Sequence, residues 1–71
     1  MKPNKFTIEI DKEDDGRFIA EILEIPGVLC YGATREEATA KVEALALRVV
    51  ADQLEERGAI SNLTSIAFSF A

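Results

Sequence analysis

Two alternating runs joined by Asp14-Asp15-Gly16 constrain this chain more than any other feature of its sequence. Phe6, Ile8 and Ile10 alternate with Thr7, Glu9 and Asp11, the period of a strand with one buried face. The tripeptide suits a three-residue hairpin loop, a type I turn closed by glycine in the left-handed region, where a side chain would clash. That loop predicts a register: Glu13 opposite Arg17, Lys12 opposite Phe18, Ile10 opposite Ala20 and Ile8 opposite Ile22. A two-residue loop would set Ile10 against Glu21 and mix the faces, so it is rejected.

The second strand runs from Arg17 to Leu23 and ends at Glu24-Ile25-Pro26-Gly27, where proline fixes φ and glycine permits the reversal. A third strand follows over Val28-Leu29-Cys30-Tyr31. After Gly32 the period changes. Thr34-Arg35-Glu36-Glu37 is a capping box, with the Thr34 hydroxyl available to the Glu37 amide and the Glu37 carboxylate able to reach back. The helix it starts extends to about Arg57, with Gly58 as its stop. Leu63 to Phe70 alternates once more, Ile66, Phe68 and Phe70 against Ser65, Ala67 and Ser69.

The order β-β-β-α-β predicts one α+β domain over residues 1–71, a mixed sheet with a single helix packed on one face. A right-handed crossover would place the last strand parallel to the first. The faces predict a core of Phe6, Ile8, Ile10, Phe18, Ala20, Ile22, Ile66 and Phe68 from the sheet. Against them would lie Ala38, Val42, Leu45 and Val49 from the helix.

A chain of 71 residues can bury only a small core. Below ~70–80 residues such a core rarely supplies more than ~3–5 kcal/mol, and disulfides, metal or self-association commonly add the rest. Cys30 is the single cysteine and histidine is absent, so neither an internal disulfide nor a zinc constellation is expected, and no cofactor. Oligomerisation remains. At about 100° per residue, Leu47, Val50 and Leu54 fall on the half of the helix opposite Ala38, Val42, Leu45 and Val49, which predicts a self-association surface. The plainer alternatives are scattered surface hydrophobes, or contact with the final connection.

The N-terminus lacks the apolar run of a signal peptide, and no stretch approaches the ~18 apolar residues of a membrane span, so a cytoplasmic, reducing setting without membrane contact is expected. The formal net charge of −5 disfavours binding to nucleic-acid phosphate and favours a basic protein partner. In the expected register Glu9 opposes Glu21 beside Asp11, with Ile19 and Leu23 among them. Like charges placed opposite one another are unfavourable. The face is either a solvated surface that tolerates this or an acidic, partly apolar docking surface.

Catalytic constellations fare poorly. Asp11 to Ile22 fails as a calcium loop, since its third position is Glu13 and its twelfth is Ile22 where a bidentate glutamate is required. Cys30 has no basic neighbour or histidine to lower its pKa and fits a small buried hydrophobe. Serine and threonine lack a histidine base, and Gly16, Gly27, Gly32 and Gly58 are too dispersed for a phosphate loop. Only carboxylate chemistry through Glu9, Asp11 and Glu21 remains as an enzymatic alternative.

Three strings occur in order: Asp15-Gly16-Arg17-Phe18-Ile19-Ala20-Glu21, Ile25-Pro26-Gly27-Val28, and Tyr31-Gly32-Ala33-Thr34-Arg35-Glu36-Glu37-Ala38. Together they resemble the signature of the HicB-like antitoxin family of toxin–antitoxin systems, over roughly residues 5–57. The resemblance implies a partial ribonuclease-H-like domain that neutralises a small, basic, messenger-RNA-cleaving toxin by covering its active site and assembles as a dimer or tetramer. Full-length members commonly add a C-terminal DNA-binding segment. Here only a strand-length segment follows Gly58, so direct DNA binding is not expected. Gly16, Pro26, Gly27, Gly32, Thr34, Glu37 and Ala38 fall on shared motif positions with structural roles, and no catalytic residue transfers. The expected function is thus non-catalytic protein binding. The alternatives are an orphan oligomer of this type without a toxin, and a metal-dependent nuclease remnant.

Overall fold

The computed structural model describes residues 5–56 and 65–71. It contains strands β1 (Lys5–Lys12), β2 (Phe18–Ile22) and β3 (Leu29–Gly32), the 22-residue helix α1 (Arg35–Glu56), and strand β4 (Ala67–Phe70). The four strands form one mixed sheet in the order β3-β2-β1-β4, with β4 parallel to β1 and the other pairs antiparallel. This is the α+β arrangement expected from the alternation and the turns.

The first hairpin has the expected register, from Ile8↔Ile22 through Lys12↔Phe18. The Gly16 amide donates to the Glu13 carbonyl at 3.0 Å and the Glu13 amide to the Arg17 carbonyl at 2.7 Å, while Gly16 takes φ +93°. At the next reversal the Val28 amide donates to the Ile25 carbonyl at 3.1 Å across Pro26 and Gly27, and Gly27 has φ +88°. That is a type II turn, with proline and glycine each where its dihedrals suit them. β3 begins one residue later than expected because Val28 belongs to the end of this turn. Its carbonyl still accepts the Ile22 amide at 3.0 Å, and its side chain is buried.

Gly32 ends β3 where the first turn of the helix crosses it. A Cβ there would lie 2.5 Å from the Ala38 nitrogen and 2.9 Å from the Ala38 Cα, so the approach of helix to strand depends on having no side chain. The Thr34 Oγ1 accepts the Glu37 amide at 3.0 Å. The Glu37 carboxylate reaches back one residue further than the capping-box expectation, accepting the Ala33 amide at 2.6 Å. The C-terminal stop expected at Arg57 and Gly58 lies outside the described residues, as do Leu63 and Thr64 of the expected last strand.

The helix lies chiefly over β3 and β2 and only lightly over β1. Its buried residues are Ala38, Val42, Ala46 and Val50, which meet Phe6, Ile8, Ala20, Ile22 and Val28. Two expectations are corrected here. Leu45 and Val49 are half-buried flanks, and Val50, expected on an outer self-association surface, is a core residue with 3% exposure. The buried line advances by four residues, about 40° per step, so it sweeps around the helix from Ala38 toward Val50 and the half-buried Leu54. Leu47 alone of the expected trio is well exposed, at 44%. Ile10, Phe18, Ile66 and Phe68 pack at the margin of the core, half-buried, with the Phe68 ring 5.6 Å from that of Phe6.

Candidate protein-docking face

Because side chains alternate along each strand, the odd-numbered residues of β1, β2 and β3 point away from the helix. No described element covers that face. The strand registers arrange it in rows: Asp11, Ile19 and Tyr31 in one, Glu9, Glu21 and Leu29 in the next. Leu23 extends the pattern, its amide donating to the Thr7 carbonyl at 3.0 Å. The sheet therefore brings together all five residues read from the sequence as a docking surface: Glu9, Asp11, Ile19, Glu21 and Leu23.

It also adds Leu29 and Tyr31. Among the described residues Leu23, Leu29 and Tyr31 are exposed large apolar side chains, and Ile19 between them is half-buried. Apolar groups thus occupy the β2 and β3 side, and Glu9 and Asp11 line the β1 side. The direct Glu9↔Glu21 pairing sets two carboxylates opposite each other, and among the described residues no cation forms an ion pair with either. Leu29 and Tyr31 escape a sequence reading because Leu29-Cys30-Tyr31 is apolar throughout, and its pairing with β2 is needed to say which residues face outward.

Two clasps stiffen the ends of this face. At one end Glu24 holds Thr7 with both carboxylate oxygens, accepting the Thr7 amide on Oε1 and the Thr7 hydroxyl on Oε2, each at 2.7 Å. These two donors, the amide first, hold the Glu24 carboxyl below its ordinary pKa. At the other end the Arg17 guanidinium lies 4.4 Å from the centre of the Tyr31 ring, and its Nε donates to Asp15 Oδ2 at 2.8 Å. The Arg17 amide also donates to Asp15 Oδ1 at 3.0 Å, and these bonds, led by the amide, lower the Asp15 pKa. Arg17 is thereby turned onto Tyr31 and Asp15, and among the described residues no ion pair reaches Glu9 or Glu21.

The three carboxylates do not converge. Among the described residues no group of three His, Cys, Asp or Glu side chains is placed to hold a metal ion, and no polar or charged side chain is buried. Cys30 points to the helix side and is half-buried against the core. The open face carries water-exposed charge beside apolar surface, a combination suited to steering and burying a partner. Among the described helices none is long and apolar enough to cross a membrane. The chain matches no protein-family model, no curated protein and no solved structure.

Proposed function

We propose that this chain is a non-catalytic binding module of the HicB-like antitoxin type, acting in the cytoplasm as a homo-oligomer. In this reading its open sheet face covers a small, basic, messenger-RNA-cleaving toxin. One observation carries it: an uncovered face on which Glu9, Asp11 and Glu21 adjoin Ile19, Leu23, Leu29 and Tyr31. A protein that grips RNA must present cations to phosphate. An acidic surface competes for those cations, and the same charges speed encounter by long-range attraction. The apolar rows then supply burial, at about 25 cal/mol for each Å² removed from water. Inhibition is occlusion, so it needs neither a nucleophile nor a metal, and DNA binding forms no part of it.

The test is to co-express the chain with the small basic product of an adjoining reading frame and to assay RNA cleavage by the purified mixture. Protection at equimolar chain, lost in Glu9→Lys with Glu21→Lys, is the expected result. A partner that cleaves RNA equally well with and without the chain would overturn the proposal.

A further inference from the structure

β4 is the outer strand of the sheet beside β1, and no described strand pairs with its free side. The Ala71 amide donates to the Ile8 carbonyl at 2.9 Å, within a parallel ladder that sets Phe70 beside Ile8 and Phe68 beside Phe6. In such a ladder alternate residues turn their backbone groups toward the neighbouring strand. Ala67, Ser69 and Ala71 therefore bond to β1, and Phe68 and Phe70 direct their N–H and C=O groups outward.

Edge strands ordinarily resist pairing through charge, proline or a bulge. Residues 65–71 contain no charged residue and no proline, in a chain where 30% of residues are charged. The helix also stands back from this side of the sheet. Phe70 is 63% exposed at the mouth of an open cleft formed with Ile10, Arg35, Thr39 and Glu43. Leu47, one turn beyond Glu43, lies along the same flank of the helix.

We infer that the β4 edge pairs with the β4 edge of a second copy of this chain, antiparallel and about a two-fold axis at Ser69, joining the two sheets into one of eight strands. Charge selects this occupant. Two chains of net charge −5 repel wherever their acidic surfaces meet, and along 65–71 they can approach without opposing like charges; residues 25–34 at the β3 edge are uncharged too, but there the helix lies over the strand. The pairing is also self-complementary. Phe68 of one copy stands opposite Phe70 of the other, both with outward backbone groups, so the two exchange hydrogen bonds while four phenylalanine rings gather on the helix side. Ser69 meets its own copy on the opposite face, where Ala67 and Ser69 are small. The inference rests on the homo-oligomer part of the proposed function, for which it names the seam, and it leaves toxin binding to its own test, because the acidic face stays open in the dimer.

Sedimentation equilibrium of the 71-residue chain, with circular dichroism to confirm folding, tests it. The expected mass is twice the chain's 7.8 kDa. Phe70→Pro removes an outward N–H without touching the β1 ladder, and Phe70→Lys puts a charge into the seam. Both are expected to halve the mass while the helical signal stays. Ser69→Cys with Cys30→Ala is expected to form an interchain disulfide on mild oxidation, since the two Ser69 residues would form a non-hydrogen-bonded pair, whose Cα atoms lie about 4.5 Å apart, within the span of a disulfide. A monomeric parent chain, a dimer that survives both Phe70 substitutions, or a dimer in which the Ser69→Cys thiols do not cross-link would each overturn the inference.

Discussion

Replacing Gly32 by alanine adds one carbon where the start of the helix touches β3. The new Cβ would lie 2.5 Å from the Ala38 nitrogen, 2.9 Å from its Cα and 3.0 Å from the Glu37 carbonyl carbon, all of them backbone atoms that no rotamer change can move. Restoring ordinary contact requires the first helical turn to retreat by about 0.5–1 Å, a gap that forfeits a quarter to a half of the dispersion energy of the atoms it separates. Overpacking of this kind costs ~1–3 kcal/mol, and loosening Ala38 and Val42 from the sheet adds to it. A total of about 2–4 kcal/mol lowers the melting temperature by about 10–25 °C in a domain of this size. Gly16→Ala is the control. Its Cβ meets nothing within 4 Å, so only the strain of φ +93° remains, about 1–2 kcal/mol. Thermal melts by circular dichroism at several protein concentrations compare the two. A Gly32→Ala protein that melts within about 2 °C of the parent, or above Gly16→Ala, would refute the close-approach argument.

Leu47→Asp and Val50→Asp separate the exposed from the buried side of the helix. The first should change monomer stability by less than ~0.5 kcal/mol, and the second should cost more than ~3 kcal/mol by burying an unpaired charge, as urea titration would register. Thr34→Ala removes the acceptor for the Glu37 amide and should cost about 1 kcal/mol in the same assay. The clasp between Glu24 and Thr7 makes stability pH-dependent. Glu24 has a lower pKa in the folded than in the unfolded chain, so its contribution is full above the unfolded value of about 4.3 and disappears as pH falls through the folded one. Urea midpoints of the parent should therefore fall more steeply below about pH 5 than those of Glu24→Gln, and parallel curves would contradict the clasp.

What was legible in the sequence is what short-range geometry decides. Asp14-Asp15-Gly16 implies its loop, the loop implies the pairing, and the pairing places Glu9, Asp11, Ile19, Glu21 and Leu23 on one face. Pro26-Gly27 and Thr34 to Glu37 act equally locally. The orientation of the helix about its own axis is a tertiary property. Size and apolarity favour Leu45 over Ala46, yet the helix starts with the Ala38 backbone close against Gly32, and the contact line runs from there through Ala38, Val42, Ala46 and Val50. The same limit hid Leu29 and Tyr31, whose direction follows from their partners on β2. No local pattern announces the bond between Glu24 and Thr7, which joins residues 17 apart through a side chain.

The central claim is that the acidic and apolar sheet face holds a basic partner by covering it. Its most direct measurement is the affinity of the chain for the basic product of the adjoining frame, as a function of salt, for the parent, for Glu9→Lys with Glu21→Lys, and for Leu29→Ala with Tyr31→Ala. The account predicts tight parent binding whose association rate falls as salt rises. Charge reversal should slow association strongly, and truncation of the apolar pair should chiefly speed dissociation. Parent-like rates in both double variants, with the fold intact by circular dichroism, would contradict it.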